Sequence, residues 1–162
     1  MHPELLTAVI TAYESIGLHC SNILLAHESQ GYGACSAEVN GKKIEFRVAK
    51  QTPKKVGQFV TIWKRIDSGP IMPYDMSDQI DFFMIIVRRY NWLGQFIFHK
   101  EVLQQKGFVS RNGNGGKLAM RVYPPWDIPT SAQAKATQTW QMNYFVSIAP
   151  CLDHIKITTL LH

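Results

Sequence analysis

Apolar and polar residues follow two different periods along this chain, a helical period at the N-terminus and a strand-like period after it. The helical part is marked by apolar residues at steps of three and four: Leu5, Val9, Ala12, Tyr13 and Ile16. This spacing predicts an amphipathic helix, which Gly17 is well placed to end. The stretch from Ile23 to Glu28 is predicted to form a second helical segment.

Alternating positions next predict a β-hairpin. The segments Gly33–Val39 and Lys42–Val48 flank an Asn-Gly pair, which is a strong signal for a two-residue hairpin turn. In the second segment the apolar residues occupy every other position, which predicts one buried face and one charged face. Further along, Phe82–Val87 is an almost unbroken apolar run, as is typical of a central strand covered on both faces.

Predicted helices and strands follow one another along the whole chain, and the sequence contains no internal repeat and no linker. The other predicted elements are a loop over Lys50–Lys55, strands over Phe59–Arg65, Gly94–His99 and Met120–Tyr123, helices over Glu101–Lys106 and from Ser131 to about Phe145, and a last strand within Ile155–Leu161. The predicted fold class is α/β (more narrowly α+β), a single domain over residues 1–162 with a central mixed β-sheet flanked by helices.

The composition argues against a disordered, secreted or membrane-spanning protein. Hydrophobic residues make up 46% of the chain and charged residues 18%, which argues against intrinsic disorder. Three scattered cysteines indicate reduced thiols, and no apolar run approaches the ~18 residues that a membrane span needs. No secretory leader is visible, so we expect a cytoplasmic protein that does not enter a membrane.

Charge suggests a polyanionic partner. The net charge is +5, and the segment Lys42–Arg65, here called the basic segment, holds eight basic residues and one acid. The residues expected to contact the phosphates of nucleic acid are Lys50, Lys54, Lys55, Lys64 and Arg65, with Arg121 opposite. An ordinary solvated face is the alternative interpretation.

A block of aspartates follows the basic segment and suggests a different chemistry. Asp75, Asp78 and Asp81 are spaced by three, and Asp81 precedes the strand whose partner leads into Lys100. We expect Asp75, Asp81 and Lys100 as catalytic residues, and Asp78 and Asp81 as ligands of Mg²⁺ or Mn²⁺, in a metal-dependent nuclease. Phe98 stands where a second acid would be expected, so Glu28 or Glu45 would have to supply it. Surface aspartates in a polar loop are the alternative.

Aromatic residues near basic ones suggest stacking on bases. Tyr123 lies two residues after Arg121 on a predicted strand, so both side chains point the same way. Trp126 follows two prolines, and we expect it on a surface loop where it stacks on an unpaired base. If Trp126 instead fills the core, its removal would weaken folding and the binding of all nucleic acids alike.

Several segments resemble the MepB-like family. They are 49–60 (AKQTPKKVGQFV), 63–65 (WKR), 69–71 (GPI), 94–98 (GQFIF), 121–127 (RVYPPWD) and 137–141 (TQTWQ). The resemblance runs in order from about Glu28 to Phe145. It implies a small cytosolic protein with a restriction-endonuclease-like core and affinity for nucleic acid.

Three functional hypotheses follow. The first is a nucleic-acid-binding protein, with DNA or RNA and the oligomeric state left open. The second is the Mg²⁺- or Mn²⁺-dependent nuclease. The third, suggested by the family's association with a multidrug efflux pump, is a small-molecule binder whose apolar pocket is lined by Trp63, Trp126 and Trp140.

Overall fold

The computed structural model describes residues 3–162 as an α+β fold. Its helices are α1 (Pro3–Ser15), α2 (Lys100–Gln105), α3 (Ala132–Gln141) and α4 (His154–Leu160). Its strands are β1 (Cys20–Leu25), β2 (Cys35–Val39), β3 (Lys42–Val48), β4 (Lys50–Thr52), β5 (Lys55–Thr61), β6 (Trp63–Arg65), β7 (Ile71–Pro73), β8 (Phe82–Arg89), β9 (Trp92–His99), β10 (Ala119–Val122) and β11 (Phe145–Ala149). Among these residues, no helix has the length and apolar content to cross a bilayer.

A six-stranded mixed sheet forms the centre, in the order β1-β2-β3-β8-β9-β11. The β3–β8 pair is parallel and the other pairs are antiparallel. Strand β8 is buried on both faces because its side chains alternate between two hydrophobic clusters, with Met84 in one and Ile85 in the other. The apolar run therefore forms a central strand, as predicted.

Different elements cover the two faces of this sheet. On one face α1 and α4 bury Val9, Tyr13 and Ile157, and the Tyr13 hydroxyl donates a hydrogen bond to Gln95. On the other face lies a small sheet in the order β10-β5-β4, which packs through Val60 and Met120. Helices α2 and α3 complete this second layer, which carries the surface described below.

Several local predictions are confirmed. The N-terminal helix ends before Gly17, the Asn-Gly turn joins β2 to β3, and β9 pairs with β8. Ser131 begins α3, because its hydroxyl oxygen accepts a hydrogen bond from the Ala134 amide at 3.1 Å. Helix α3 ends at Gln141, earlier than predicted, and a 3-10 turn over Met142–Tyr144 leads into β11.

Two element types were predicted wrongly. The segment from Ile23 to Glu28 is not helical, because residues up to Leu25 form the edge strand β1, paired with β2 around an irregularity at Asn22. The C-terminal segment is helix α4 rather than a strand, because the Asp153 side chain accepts a hydrogen bond from the Lys156 amide and caps it.

The basic segment is divided among several strands. Part of the predicted loop Lys50–Lys55 is strand β4, which forms a hairpin with β5 around Pro53 and Lys54. The predicted strand Phe59–Arg65 breaks after Thr61, since β5 pairs with β10 whereas β6 pairs with β7 in a separate two-stranded sheet. The basic residues of this segment therefore lie on different surfaces.

Candidate functional site

The small sheet presents a row of basic and aromatic side chains on its outer face. Lys50 of β4 and Arg121 of β10 are both directly opposite Phe59 of β5. Residues directly opposite in neighbouring strands project to the same face, so these three side chains form one row. The neighbouring residue Val60 points to the core and is fully buried.

Aromatic rings lie beside the basic groups of this face. The Lys50 Nζ is 4.4 Å from the centre of the Tyr32 ring, and Tyr32 in turn packs edge-on against Phe59 with 6.2 Å between ring centres. At the other end, the Lys117 Nζ is 5.1 Å from the centre of the Phe108 ring. Rings and cations in this arrangement suit a ligand that carries both anions and flat apolar groups.

Arg121 and Tyr123 are held in position by fixed contacts. The Arg121 Nη1 donates to the Thr52 hydroxyl at 3.0 Å and to the Val56 carbonyl at 3.3 Å. Tyr123 lies against Gly57, where an added Cβ would be 2.7 Å from the tyrosine ring. Because Gly57 also has φ +87°, glycine suits this position by both space and backbone conformation.

Three shallow depressions surround the β4–β5 hairpin, with volumes of about 490, 460 and 420 Å³. They share lining residues, so they form one continuous region, here called the hairpin surface. Its basic residues are Lys50, Lys54, Lys55, Arg88, Arg89, Lys117 and Arg121. Its acidic residues are Glu4 and Asp127.

The hairpin surface accounts for the whole net charge of the protein. Seven basic and two acidic residues give it a formal charge of +5, which equals the charge of the full chain. The ten basic and ten acidic residues elsewhere cancel. Only Arg89 among the seven lies within ion-pairing distance of a carboxylate in residues 3–162, at 3.5 Å from Asp127. The positive charge is therefore concentrated here, with an acid paired to one of the seven cations.

Most of the predicted phosphate-binding residues lie on this surface. They are Lys50, Lys54, Lys55 and Arg121, together with the predicted stacking residues Tyr123 and Trp126. Lys64 and Arg65 do not, because β6 places them beside carboxylates. The Lys64 Nζ is 2.7 Å from Asp78, and the Arg65 Nε is 3.1 Å from Glu28. Each of these two cations is therefore paired with a carboxylate of the protein itself.

Trp126 is less exposed than the proline-rich loop suggested. It is half-buried, its ring lies against Trp92 with 5.7 Å between ring centres and 25° between planes, and Phe145 meets it edge-on. Trp92 is the more exposed ring of the pair. Arg88 and Arg89 were missed as members of the surface, although a dibasic pair next to a hairpin turn was visible in the sequence.

The three aspartates do not share one helical face. They lie in the irregular segment before β8, where Asp75 accepts hydrogen bonds from Gly113, Ser110 and Ser77. These hydrogen bonds, that from the Gly113 amide above all, hold the pKa of the Asp75 carboxyl well below its ordinary value.

The other predicted catalytic groups are also engaged in structural contacts. Asp78 binds Lys64 and accepts from the Asp75 amide at 2.8 Å, and Asp81 accepts from the Lys43 amide at 2.8 Å. The Lys100 Nζ donates to the Met76 and Asp78 carbonyls, each at 2.9 Å. Within residues 3–162 no three His, Cys, Asp or Glu side chains are grouped as a metal site. The carboxylates of Asp78 and Asp81 are thus occupied by contacts within the protein, and the Mg²⁺ or Mn²⁺ site stays a prediction.

A second cavity of about 330 Å³ lies between β3 and β6. The charged face predicted for β3 is not solvated here, because Arg47 is only 4% exposed. Arg47 donates to Glu45 at 3.0 Å and to the Tyr74 hydroxyl at 3.2 Å. Burial raises the pKa of the Glu45 carboxyl, although the Arg47 charge opposes this shift. Trp63 lines this cavity.

The three tryptophans of the small-molecule hypothesis do not meet. Trp63 lines the cavity beside Glu45, and Trp126 borders the groove beside Lys54. Trp140 instead packs on Phe98, with 5.5 Å between ring centres. A common apolar pocket lined by these rings is therefore wrong for this fold.

Comparison with known proteins gives two similar structures and one family. The family model described as MepB-like matches residues 26–147. A crystal structure of MepB is 31% identical in sequence, covers 93% of this chain and 99% of its own, and has a TM-score of 0.78. A bacterial homing endonuclease is 14% identical, covers 86% of this chain and 88% of its own, and has a TM-score of 0.51. No curated protein matches significantly.

Proposed function

We propose that this chain, which belongs to the MepB-like family and has a restriction-endonuclease-like fold, binds nucleic acid through the hairpin surface. The observation that carries the proposal is that this surface holds the full +5 charge while the rest of the molecule is neutral. A polyanion is the ligand class that such a one-sided distribution attracts.

The arrangement of the cations supports contacts to a phosphate backbone. Lys54 and Lys55 are exposed at the turn of the β4–β5 hairpin, and Arg121 is fixed beside them by its bonds to Thr52 and Val56. Long cations at a hairpin tip adapt to successive phosphates, whereas a fixed guanidinium sets the register. Phosphate contacts of this kind bind all sequences with similar affinity.

Salt dependence is the direct test. A fluorescently labelled DNA duplex is titrated at several salt concentrations with the wild type and with the double variant Lys54→Glu, Lys55→Glu. Each phosphate that the protein neutralises contributes about 0.9 to the slope of log affinity against log salt. The double variant should therefore bind more weakly and show a slope that is smaller by roughly 2, for every DNA sequence tested.

The matched control is the double variant Lys106→Glu, Lys135→Glu. Both lysines are exposed and lie outside the hairpin surface, and the change in net charge is identical. This control should retain most of the wild-type salt slope. Absence of binding at low salt would refute the proposal, and so would equal weakening by both double variants, which would indicate attraction to net charge alone.

Hydrolysis of phosphodiester bonds is a second candidate function, supported by the cavity beside β3. A half-buried carboxylate with a raised pKa next to an arginine and a tyrosine is an arrangement found where protons are transferred. Closed circular single-stranded and duplex DNA are incubated with the protein in Mg²⁺, in Mn²⁺ and in a chelator.

Two variants separate the candidate centres. Cleavage that is lost in Glu45→Gln but kept in Asp81→Asn supports a catalytic centre in the cavity beside β3. The reverse pattern supports the Asp81 and Lys100 pair predicted from the sequence. If the wild type cleaves neither DNA under any of the three conditions, the enzymatic candidate is refuted, while the binding proposal is unaffected.

A further inference from the structure

Strand β1 forms one edge of the central sheet and pairs only on its inner side, with β2. The Ala26 amide donates to the Ala34 carbonyl of the β2 side at 3.0 Å, and Leu24 lies directly opposite Ser36 of β2. Because backbone groups alternate in direction along a strand, the Leu25 amide and the preceding Ile23 carbonyl point outward. An edge with outward backbone groups is a template for a further strand.

The side chains at this edge are apolar and exposed. Leu24 is 67% exposed, Leu25 is 55% exposed and Ile23 is 43% exposed. Leu25 lies opposite Cys35, which is buried on the face covered by α1 and α4. Leu24 belongs to the other face and lines the cavity beside β3. Apolar side chains therefore continue on both faces to the point where the sheet stops.

More exposed apolar residues lie on β7 and on the loop before it. They are Ile66, Ile71 and Met72, and with the three of β1 they make up six of the twelve large apolar side chains that are exposed in the described part of the chain. The cavity beside β3 joins the two groups, because Leu25 and Arg65 both line it and Ile71 lies directly opposite Arg65. These six residues are here called the edge patch. Clustering of this kind marks an interaction surface.

The distribution of charge favours a second copy of this chain as the partner. The Lys64 ammonium is paired with Asp78 at 2.7 Å. The Arg65 guanidinium is paired with Glu28 at 3.1 Å, so these four charges beside the edge patch cancel. The hairpin surface, which holds the full +5 charge, does not include the edge patch. Two copies therefore repel each other through their hairpin surfaces and meet without repulsion through their edge patches.

We propose that two copies of this chain form a symmetric dimer in which their β1 strands pair antiparallel. A two-fold axis at Leu24 sets the Leu25 amide of each copy opposite the Ile23 carbonyl of the other, which allows two equivalent hydrogen bonds. The central sheets of the two copies then form one continuous sheet. The irregularity at Asn22 confines the pairing to a few residues, so burial of the apolar side chains supplies most of the affinity.

Molecular mass in solution is the first test. Analytical ultracentrifugation of the full chain should give a mass that rises with concentration towards that of two chains. Leu24→Glu removes a buried leucine from each copy and sets two like charges together at the axis, so it should weaken dimerisation by about 100-fold or more. The matched control is Ile155→Glu, because Ile155 is 70% exposed on α4 and outside the edge patch. The control should dimerise like the wild type.

Cross-linking tests the register and does not depend on high affinity. Facing residues of an antiparallel pair that share no hydrogen bond lie close enough for a disulfide, and Leu24 faces its own copy in this way. In a Cys151→Ser background, which removes the exposed thiol, Leu24→Cys should form a linked dimer when a copper–phenanthroline complex is the oxidant. Ile155→Cys in the same background should not.

Both tests are independent of the proposed nucleic-acid binding, because neither uses DNA. A dimer that is disrupted by Leu24→Glu but not by Ile155→Glu supports the inference, and melting temperatures identify any variant that fails to fold. A wild type that stays monomeric at every concentration overturns it and leaves the edge to a strand of a different protein. Equal cross-linking at positions 24 and 155 also overturns it, and so does a dimer that a folded Leu24→Glu variant retains.

Discussion

Replacement of Gln141 by alanine is expected to destabilise the protein more than any change at an exposed glutamine. Gln141 is completely buried between α3 and β10. Its Nε2 donates to the Arg121 carbonyl at 3.0 Å, and its Oε1 accepts from the Tyr123 amide at 2.8 Å. One side chain therefore satisfies two backbone groups of the strand that carries Arg121 and Tyr123.

The magnitude follows from these two groups. A buried backbone group left without a partner costs about 1–3 kcal/mol, and water that enters the new cavity recovers part of this. We expect a loss of about 2–4 kcal/mol in the free energy of unfolding. In a protein of this size each kcal/mol lowers the melting temperature by about 2–4 °C.

Thermal and urea unfolding of Gln141→Ala would measure this loss, with Gln105→Ala as the control because Gln105 is exposed at the end of α2. The control should change stability by less than about 0.5 kcal/mol. If Gln141→Ala lost no more than the control, the two hydrogen bonds would not hold β10 to α3, and this account of how Arg121 and Tyr123 are positioned would be wrong.

Two further predictions concern titratable groups. Hydrogen bonds, that from the Gly113 amide above all, lower the pKa of the Asp75 carboxyl in the folded protein. The ionised carboxylate therefore stabilises the fold above pH 3.8, which is its ordinary pKa. This stabilisation is lost as the pH falls through the lowered pKa of the folded state. Asp75→Asn should thus be less stable than the wild type in urea unfolding at neutral pH, and the difference should shrink below pH 3.8. The control Asp67→Asn changes an exposed residue and should alter stability at neutral pH by less than about 0.5 kcal/mol. Burial raises the pKa of the Cys35 thiol to about 11, whereas Cys151 is exposed. A thiol reagent should therefore label Cys151 in the folded protein and Cys35 only in denaturant. Rapid labelling of Cys35 in the folded protein would contradict this.

The elements that were predicted correctly are those with strong local signals. The Asn-Gly turn requires positive φ at both central residues, and Asn40 and Gly41 adopt φ +47° and +81°. The apolar run of β8 is long enough to indicate burial on both faces. In contrast, the short apolar stretch at Ile23 fits a helix or a strand equally well, and only pairing with β2 decides between them.

The candidate site was predicted in part for a similar reason. A run of lysines identifies exposed cations such as Lys54 and Lys55, because charge alone keeps them at the surface. It cannot identify which cations are neutralised, since Lys64 meets Asp78 only after β6 and the following loop fold together. Cations from distant strands, such as Arg89, join the surface through the β8–β9 hairpin. The dibasic pair is visible in the sequence, but its position beside the β4–β5 hairpin is not.

Concentration of the charge has an energetic consequence for the fold. Like charges around the β4–β5 hairpin repel one another, and in residues 3–162 a single ion pair, Arg89 with Asp127, offsets this repulsion. The same fold pairs Lys64 with Asp78 and Arg65 with Glu28, which are 14 and 37 residues away along the chain. Folding therefore supplies acidic partners to these two cations. The positive charge of the hairpin surface is not balanced by acids, whereas the charges of Lys64 and Arg65 are. A ligand that supplies negative charge therefore stabilises the hairpin surface most. The proposed binding of a polyanion would therefore stabilise the hairpin through the same groups.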